Sequence, residues 1–126
     1  RDNRGAMLRV LGGPGDPATR IENRVGEPMA NPYLYIASQV LAGMDGLRRG
    51  LVPPPATTSP YGATDRPLPT GLGQALDALA HDEVMTDGLG AALVGCLQRI
   101  KRSELDRHDA ATDREAWSRR EYFGRY

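Results

Sequence analysis

Four arginines and one glutamate near the start of the chain have types and spacing that suit phosphate chemistry. Cations gathered without enough carboxylates repel one another unless water solvates them or an anion binds. Guanidinium forks bind phosphoryl oxygens in pairs, and a carboxylate is a hard oxygen ligand for Mg²⁺ or Mn²⁺. A polyphosphate with a divalent metal could therefore bind this group and balance its charges. The group consists of Arg4, Arg9, Arg20, Glu22 and Arg24.

Two short predicted strands, over residues 5–11 and 19–25, position these charges. Side chains alternate along a strand, so Ile21 and Val25 share one face of the second strand and its charged residues share the other. The Gly- and Pro-rich loop over 12–18 favours an antiparallel pair and lacks the ending of a P-loop. If the charged faces meet, the guanidiniums converge; otherwise the pattern is that of a half-exposed strand with a solvated face.

Periodic apolar residues predict that the rest of the chain is mainly helical. In the first helix Asn31 is a good N-cap, Pro32 fits the first helical position and Gly50 can end the helix. Thr70 is a candidate cap for the second helix. The predicted helices cover about 32–49, 71–80, 87–106 and 113–123.

The apolar faces of residues 33–47 and 93–105 are expected to form the densest core. Cys96 falls on the inner face of the third predicted helix, where it is most simply a small core residue. Glu104 falls among the residues expected to point outward.

Few other residues outside the charged strands suggest chemistry. His81 and His108 lack the paired spacing or cysteine company of a zinc site. The Pro-rich stretch 51–69 predicts a long surface loop. Aromatic anchors predict that the last helix docks on the domain or on a neighbouring subunit; they are Trp117, Tyr122 and Phe123.

Composition excludes several classes of function. The 16 basic and 16 acidic residues give no positive excess for a nucleic-acid backbone. No apolar run approaches the roughly 18 residues that cross a bilayer, and the single cysteine cannot form an internal disulfide. We expect a cytoplasmic protein, without nucleic-acid or membrane partners. Because the chain starts at Arg1 without an initiator methionine, we expect a piece of a longer protein.

Several short motifs together carry a family resemblance. "NRGAMLRV" at 3–10, "RIENR" at 20–24, "NPYL" at 31–34 and "AGMDGL" at 42–47 resemble the C-terminal part of the catalytic domain of glutamine synthetases. The resemblance covers essentially all of residues 1–126. It implies an α+β fold in which two short N-terminal strands complete a sheet supplied mostly by upstream sequence, followed by three to four packed helices.

The resemblance also implies a role for each charged residue. Arg4 matches an arginine placed against the transferred phosphoryl group, and Arg24 matches the arginine that holds the side-chain carboxylate of the substrate glutamate. Arg9 and Arg20 match nucleotide-binding positions. Glu22 matches a glutamate that binds one of the catalytic divalent metals.

The implied reaction is ATP-dependent amide formation with Mg²⁺ or Mn²⁺. ATP would phosphorylate the glutamate side chain, and ammonia would displace phosphate, as in a glutamine synthetase. The middle residue Asn23 of "IENR" and the sequence "DNRGA" depart from many glutamine synthetases. They leave open a γ-glutamyl-amine ligase acting on polyamines or alkylamines, and a non-catalytic structural member of the family is a further alternative.

The family's active sites form between neighbouring subunits of a ring, so the resemblance implies a ring-shaped homo-oligomer and an isolated fragment without activity. A small independent helical interaction domain is the alternative if the parent gene begins near Arg1.

Overall fold

The computed structural model describes residues 5–62 and 67–123 and divides the chain into two units, Arg1–Pro67 and Leu68–Tyr126. Within these described residues, the first unit contains two antiparallel strands and one helix, and the second unit is helical. The α+β class predicted from the sequence is confirmed. In the part of the chain that the structure describes, no helix is both long and apolar enough to cross a membrane.

A β-hairpin opens the first unit. Strand β1 covers Leu8–Leu11 and pairs antiparallel with β2, Arg20–Asn23, so both strands are shorter than the sequence predicts. The connecting loop folds on itself, because the Gly13 N–H donates to the Thr19 hydroxyl at 3.0 Å. Gly12 has a φ of +82° and would bring a Cβ within 2.6 Å of that hydroxyl, so this position requires glycine.

Helix α1, Pro32–Arg48, begins and ends as its sequence signals predict. The Asn31 side chain accepts hydrogen bonds from the backbone of Tyr33 and Leu34, and a proline occupies the first turn. At the other end Gly50 adopts a φ of +59°, and Leu51 N–H donates to the Gly46 carbonyl. This is a Schellman motif, in which a left-handed glycine ends the helix.

The apolar stripe of α1 is exposed, which corrects the expectation of a dense core there. The helix has no buried residue. Five of its large apolar side chains are between 45% and 83% exposed, although they recur every three or four positions as expected. They are Tyr33, Ile36, Val40, Met44 and Leu47.

The second unit contains more helices than the sequence predicts. The single helix expected over 87–106 is replaced by α3, Glu83–Leu89, and α4, Ala91–Asp109. The break lies at Gly90, whose φ of +90° is outside the helical region. Further residues are helical in α2, Leu72–Ala80, and α5, Arg114–Ser118, which continues as a π-helical turn over Arg119–Phe123.

The expected cap of α2 is also corrected. Gly71, not Thr70, is the N-cap, and it makes no side-chain capping bond. Instead, the side-chain oxygen of Gln74 accepts from the Thr70 backbone at 2.9 Å and from its hydroxyl at 3.1 Å. Thr70 therefore donates to the first turn of the helix rather than accepting from it.

Helix α4 packs with a face different from the predicted one. Leu76 of α2 and Val94 of α4 are 4% and 5% exposed and form the core of this unit. Glu104 is buried at 6% exposure, where an outward position was expected, and Cys96 is exposed, where a core position was expected. The inward face is therefore rotated from the stripe that the apolar residues alone indicate.

Polar and aromatic contacts explain this rotation. The Lys101 ammonium lies 2.8 Å from the Glu104 carboxylate, and the Tyr122 hydroxyl donates to the same carboxylate at 3.3 Å. Trp117 packs edge-on against His108, with ring centroids 5.5 Å apart, and against Tyr122 at 6.0 Å. The predicted docking of the terminal aromatics on the domain is thus observed for Trp117 and Tyr122, whereas Phe123 is 77% exposed.

This contact predicts a pH dependence of stability. Burial, reinforced by the negative charge of Glu104, raises the pKa of Tyr122 above its ordinary value of 10.0. Neutral Tyr122 therefore stabilises the folded state below about pH 10, and this contribution is lost as pH rises through the raised folded value. Tyr122→Phe should lower the free energy of unfolding near neutral pH by about 1 kcal/mol or less. The free energy of unfolding of this variant should also decrease less at alkaline pH than that of wild type.

Thermal unfolding of both proteins across that pH range tests the effect. Tyr61→Phe is the matched control, since Tyr61 lies in the other unit and is 80% exposed. If the thermal stability of wild type and of Tyr122→Phe decreases equally at alkaline pH, a role for the Tyr122–Glu104 contact is contradicted.

Candidate functional site

An ion pair lies at the centre of the hairpin's charged face. Arg9 and Glu22 are register partners, and the Arg9 Nε atom lies 2.6 Å from Glu22 Oε2. The side chains are 31% and 39% exposed, but the two facing atoms are hidden from solvent. Directly opposed charges stabilise an antiparallel pair, so this contact supports the register of the hairpin.

Two more arginines flank Glu22 along the chain. Arg20 lies two residues before Glu22, and its guanidinium donates to the Ala18 carbonyl at 2.9 Å. Arg24 lies two residues after Glu22, and its backbone N–H donates to the Met7 carbonyl at 2.9 Å, which extends the ladder beyond β2. Strand alternation places the Arg20 side chain with Arg9 and Glu22, whereas Arg24 lies at a bend directly after β2.

The structure therefore brings three of the five predicted charged residues, Arg9, Arg20 and Glu22, to one hairpin face, and Arg24 follows at a bend directly after β2. The opposite face holds the register pair Val10 and Ile21, which are 73% and 70% exposed. Arg4, the fifth predicted residue, lies outside the described residues.

The end of β2 is fixed to α1 by contacts that the sequence did not predict. The Asn23 side chain accepts from the Val25 N–H at 3.1 Å and donates to the Gln39 side-chain oxygen at 2.9 Å. The Tyr35 ring lies close to the backbone at Gly26, where a Cβ would be 3.0 Å from the Tyr35 hydroxyl. Asparagine at the end of a strand favours a turn, and this signal could have identified Asn23.

The Pro-rich loop also contacts the hairpin's leading segment. A Cβ on Gly5 would lie 2.9 Å from both Pro60 and the Tyr61 ring. The loop therefore folds back on the residues that precede β1, and glycine at position 5 permits this close approach.

Glu22 fits the role of one ligand in a metal site rather than of a whole site. Among the described residues, no group of three or more His, Cys, Asp or Glu side chains could hold a metal ion. Magnesium usually takes one or two carboxylates together with water and substrate phosphates. In addition, the Oε2 atom of Glu22 is engaged by Arg9, so metal binding through that atom requires Arg9 to move.

A depression of about 360 Å³ in the second unit contains none of the predicted site residues. Two of its charged residues are already paired, because Arg107 lies 2.9 Å from Glu121 and Glu104 contacts Lys101. The depression therefore belongs to the packing of the terminal segment on α4.

The sequence of this chain is similar to those of several known proteins. A family model described as the catalytic domain of glutamine synthetase matches residues 1–122. The chain is 44% identical over 133 aligned positions to a γ-glutamylanilide synthase from Acinetobacter sp, an alignment that covers 98% of this chain and 27% of the relative.

Two further relatives are a lengsin and a glutamine synthetase. Lengsin from Homo sapiens is 36% identical over 86% of this chain and 22% of its own length. A glutamine synthetase from Methanocaldococcus jannaschii is 35% identical over 82% of this chain and 25% of its own length. The chain thus spans about a quarter of the length of these relatives.

Proposed function

The chain belongs to the glutamine synthetase family, and from this premise we propose that the full-length protein is an ATP-dependent ligase that forms an amide at the side-chain carboxylate of glutamate. The observation that carries the proposal is the charged hairpin face, on which strand register groups Arg9, Arg20 and Glu22, with Arg24 directly after it. Those residue types suit a nucleotide triphosphate, a divalent metal and a carboxylate substrate.

In the proposed reaction the arginines bind and orient charged oxygens. Arg24 holds the glutamate side-chain carboxylate, and Arg9 and Arg20 bind nucleotide phosphates, with Arg4 against the transferred phosphoryl group. Phosphoryl transfer depends mainly on in-line positioning and on neutralising charge, which guanidinium groups supply. Glu22 would help to hold Mg²⁺ or Mn²⁺, which supplies further charge neutralisation when bound.

Activation of glutamate explains why ATP is needed. A carboxylate is a poor electrophile, whereas an acyl phosphate has phosphate as its leaving group. Attack by a nitrogen nucleophile on that carbonyl forms the amide C–N bond and breaks the C–O bond to phosphate. The proposed nucleophile is ammonia, as in the glutamine synthetases that the chain resembles.

An amine is the second candidate nucleophile. The 44% identity to the γ-glutamylanilide synthase extends over 98% of the chain, whereas identity to the Methanocaldococcus glutamine synthetase is 35% over 82%. This difference is the observation that supports an amine as the second candidate. Because the described residues include no assigned nucleophile pocket, the preference must be measured.

The test is ADP release by the full-length protein with ATP, glutamate and Mg²⁺ or Mn²⁺, with ammonia compared against aniline, alkylamines and polyamines. We expect release that requires both glutamate and a nucleophile. Preference for ammonia indicates a glutamine synthetase, and preference for an amine indicates a γ-glutamyl-amine ligase. No turnover with any nucleophile, in an assembled and metal-loaded sample, would contradict the proposal and favour a non-catalytic role.

The proposal extends to assembly and location. Ring-shaped homo-oligomers with active sites between subunits are the expected form, which light scattering of the full-length protein would test. The cytoplasmic location expected from the composition stays a prediction.

A further inference from the structure

Asn23 lies in the chain between two residues of the proposed site, Glu22 and Arg24, but its side chain is not on the charged face. Strand alternation places Glu22 on the charged face and Asn23 on the opposite one, and Arg24 follows at the bend that ends β2. Its side chain therefore does not belong to the charged cluster. Any influence of Asn23 on that cluster must pass through the backbone that all three residues share.

A directed chain of hydrogen bonds connects this side chain to α1. The Val25 N–H can only donate, so the atom of Asn23 that it contacts at 3.1 Å is the carbonyl oxygen, and the amide nitrogen donates to Gln39 at 2.9 Å. The Gln39 amide donates to the Ser38 hydroxyl at 3.3 Å, which donates to the Tyr35 carbonyl at 2.7 Å. Donor and acceptor roles thus agree at every step.

The segment between the hairpin and α1 is also held by local bonds. Glu27 accepts from the Met29 N–H at 3.1 Å with its side chain and from the Ala30 N–H at 3.0 Å with its carbonyl. Asn31 then caps α1. The path from β2 to the helix is therefore ordered by side-chain and backbone bonds together, with Asn23 at its start.

We propose that Asn23 is a positioning residue, which fixes the end of β2 to α1 through Gln39 and thereby sets where Glu22 and Arg24 stand. A two-stranded hairpin is marginally stable on its own, so attachment to a helix limits how far its charged face can shift. Small displacements of groups that orient substrate cost much of a reaction rate. The catalytic consequence rests on the proposed function, whereas the structural consequence does not.

The test compares Asn23→Ala, Gln39→Ala and the double variant in the full-length protein. Gln39→Ala is the critical variant, because alanine suits an exposed helix position and the Val25 N–H keeps its acceptor on Asn23. Gln74→Ala is the matched control, because it removes another side-chain amide bond, in the second unit.

The first measurement is amide hydrogen exchange of residues 24–27, which needs no activity. Gln39→Ala should increase exchange there although no bond within 24–27 is removed, and Gln74→Ala should not. The second measurement is the kinetics of Gln39→Ala. Its glutamate KM and the Mg²⁺ concentration for half-maximal rate should rise, and its kcat/KM should be about 3- to 10-fold lower. Its thermal midpoint should be unchanged. The double variant should be no worse than Asn23→Ala, since both side chains act in one contact.

The outcomes separate the two proposals. If exchange in residues 24–27 and the kinetics of Gln39→Ala both match wild type, or if the two single effects add in the double variant, the positioning role is overturned. If wild type itself has no ligase activity, the proposed function fails, and increased exchange in Gln39→Ala still supports the attachment of the hairpin to α1.

Discussion

Replacing Glu22 with alanine in the full-length protein should reduce metal-dependent turnover by about a hundredfold or more. The substitution removes the hard oxygen ligand proposed for the divalent metal and leaves the Arg9 guanidinium without the carboxylate that lies 2.6 Å from its Nε. Both changes place excess positive charge where phosphates and metal would have to bind together. The measurement is initial rate as a function of Mg²⁺ or Mn²⁺ concentration at saturating ATP and glutamate.

Two variants separate loss of a ligand from loss of a structural ion pair. Glu22→Gln keeps the shape of the side chain and an oxygen for Arg9, but it is a much weaker metal ligand, so its turnover should also fall strongly. Glu115→Ala removes an exposed carboxylate that lies 2.6 Å from Arg119 in the second unit and should leave the rate unchanged. Wild-type activity in Glu22→Ala would contradict the metal role.

Local signals in the sequence predicted the parts of the fold that neighbouring residues determine. The cap at Asn31 and the helix end at Gly50 depend on side chains and backbone angles within a few positions, and both are observed. Alternation in "RIENR" likewise predicted one charged face, and the observed pairing of Arg9 with Glu22 brings the charged sides of the two strands together.

Burial was predicted less well, because it depends on what packs against a face. The stripe from Tyr33 to Leu47 shows only that one side of α1 could be buried, and the described structure leaves it exposed. In α4, the spacing of apolar residues alone predicts that the side with Cys96 is buried. The Glu104 carboxylate is instead turned inward, where the Tyr122 hydroxyl donates to it from 18 positions away, and a contact over that separation leaves no periodic signal.

The candidate site shows the same division. Residue types and spacing were sufficient to nominate Arg9, Arg20, Glu22 and Arg24, and the structure groups the first three on one face, with Arg24 directly after it. The attachment through Asn23 and Gln39 spans 16 positions, so it depends on the angle between the hairpin and α1. A pattern of neighbouring residues cannot predict that angle. The sequence therefore marked Asn23 only as a residue that departs from many glutamine synthetases.

Arg24→Lys should raise the glutamate KM of the full-length protein by about 10- to 100-fold. The proposed partner of Arg24 is a carboxylate, which a planar guanidinium can bind with two parallel N–H donors. Lysine keeps the positive charge but offers a compact ammonium that cannot reproduce the paired geometry. The backbone bond from the Arg24 N–H to the Met7 carbonyl is unaffected by the change, so the hairpin ladder should persist. Initial rates at varied glutamate and saturating ATP give the KM.

The matched control is Arg48→Lys, which makes the same exchange in the last turn of α1. Its glutamate KM should equal that of wild type. The ATP KM of Arg24→Lys should change much less than its glutamate KM, because Arg9 and Arg20 carry the proposed nucleotide contacts. If instead the ATP KM rose and the glutamate KM did not, Arg24 would belong to the nucleotide side of the hairpin face, and the assignment of the glutamate carboxylate would have to move to another residue.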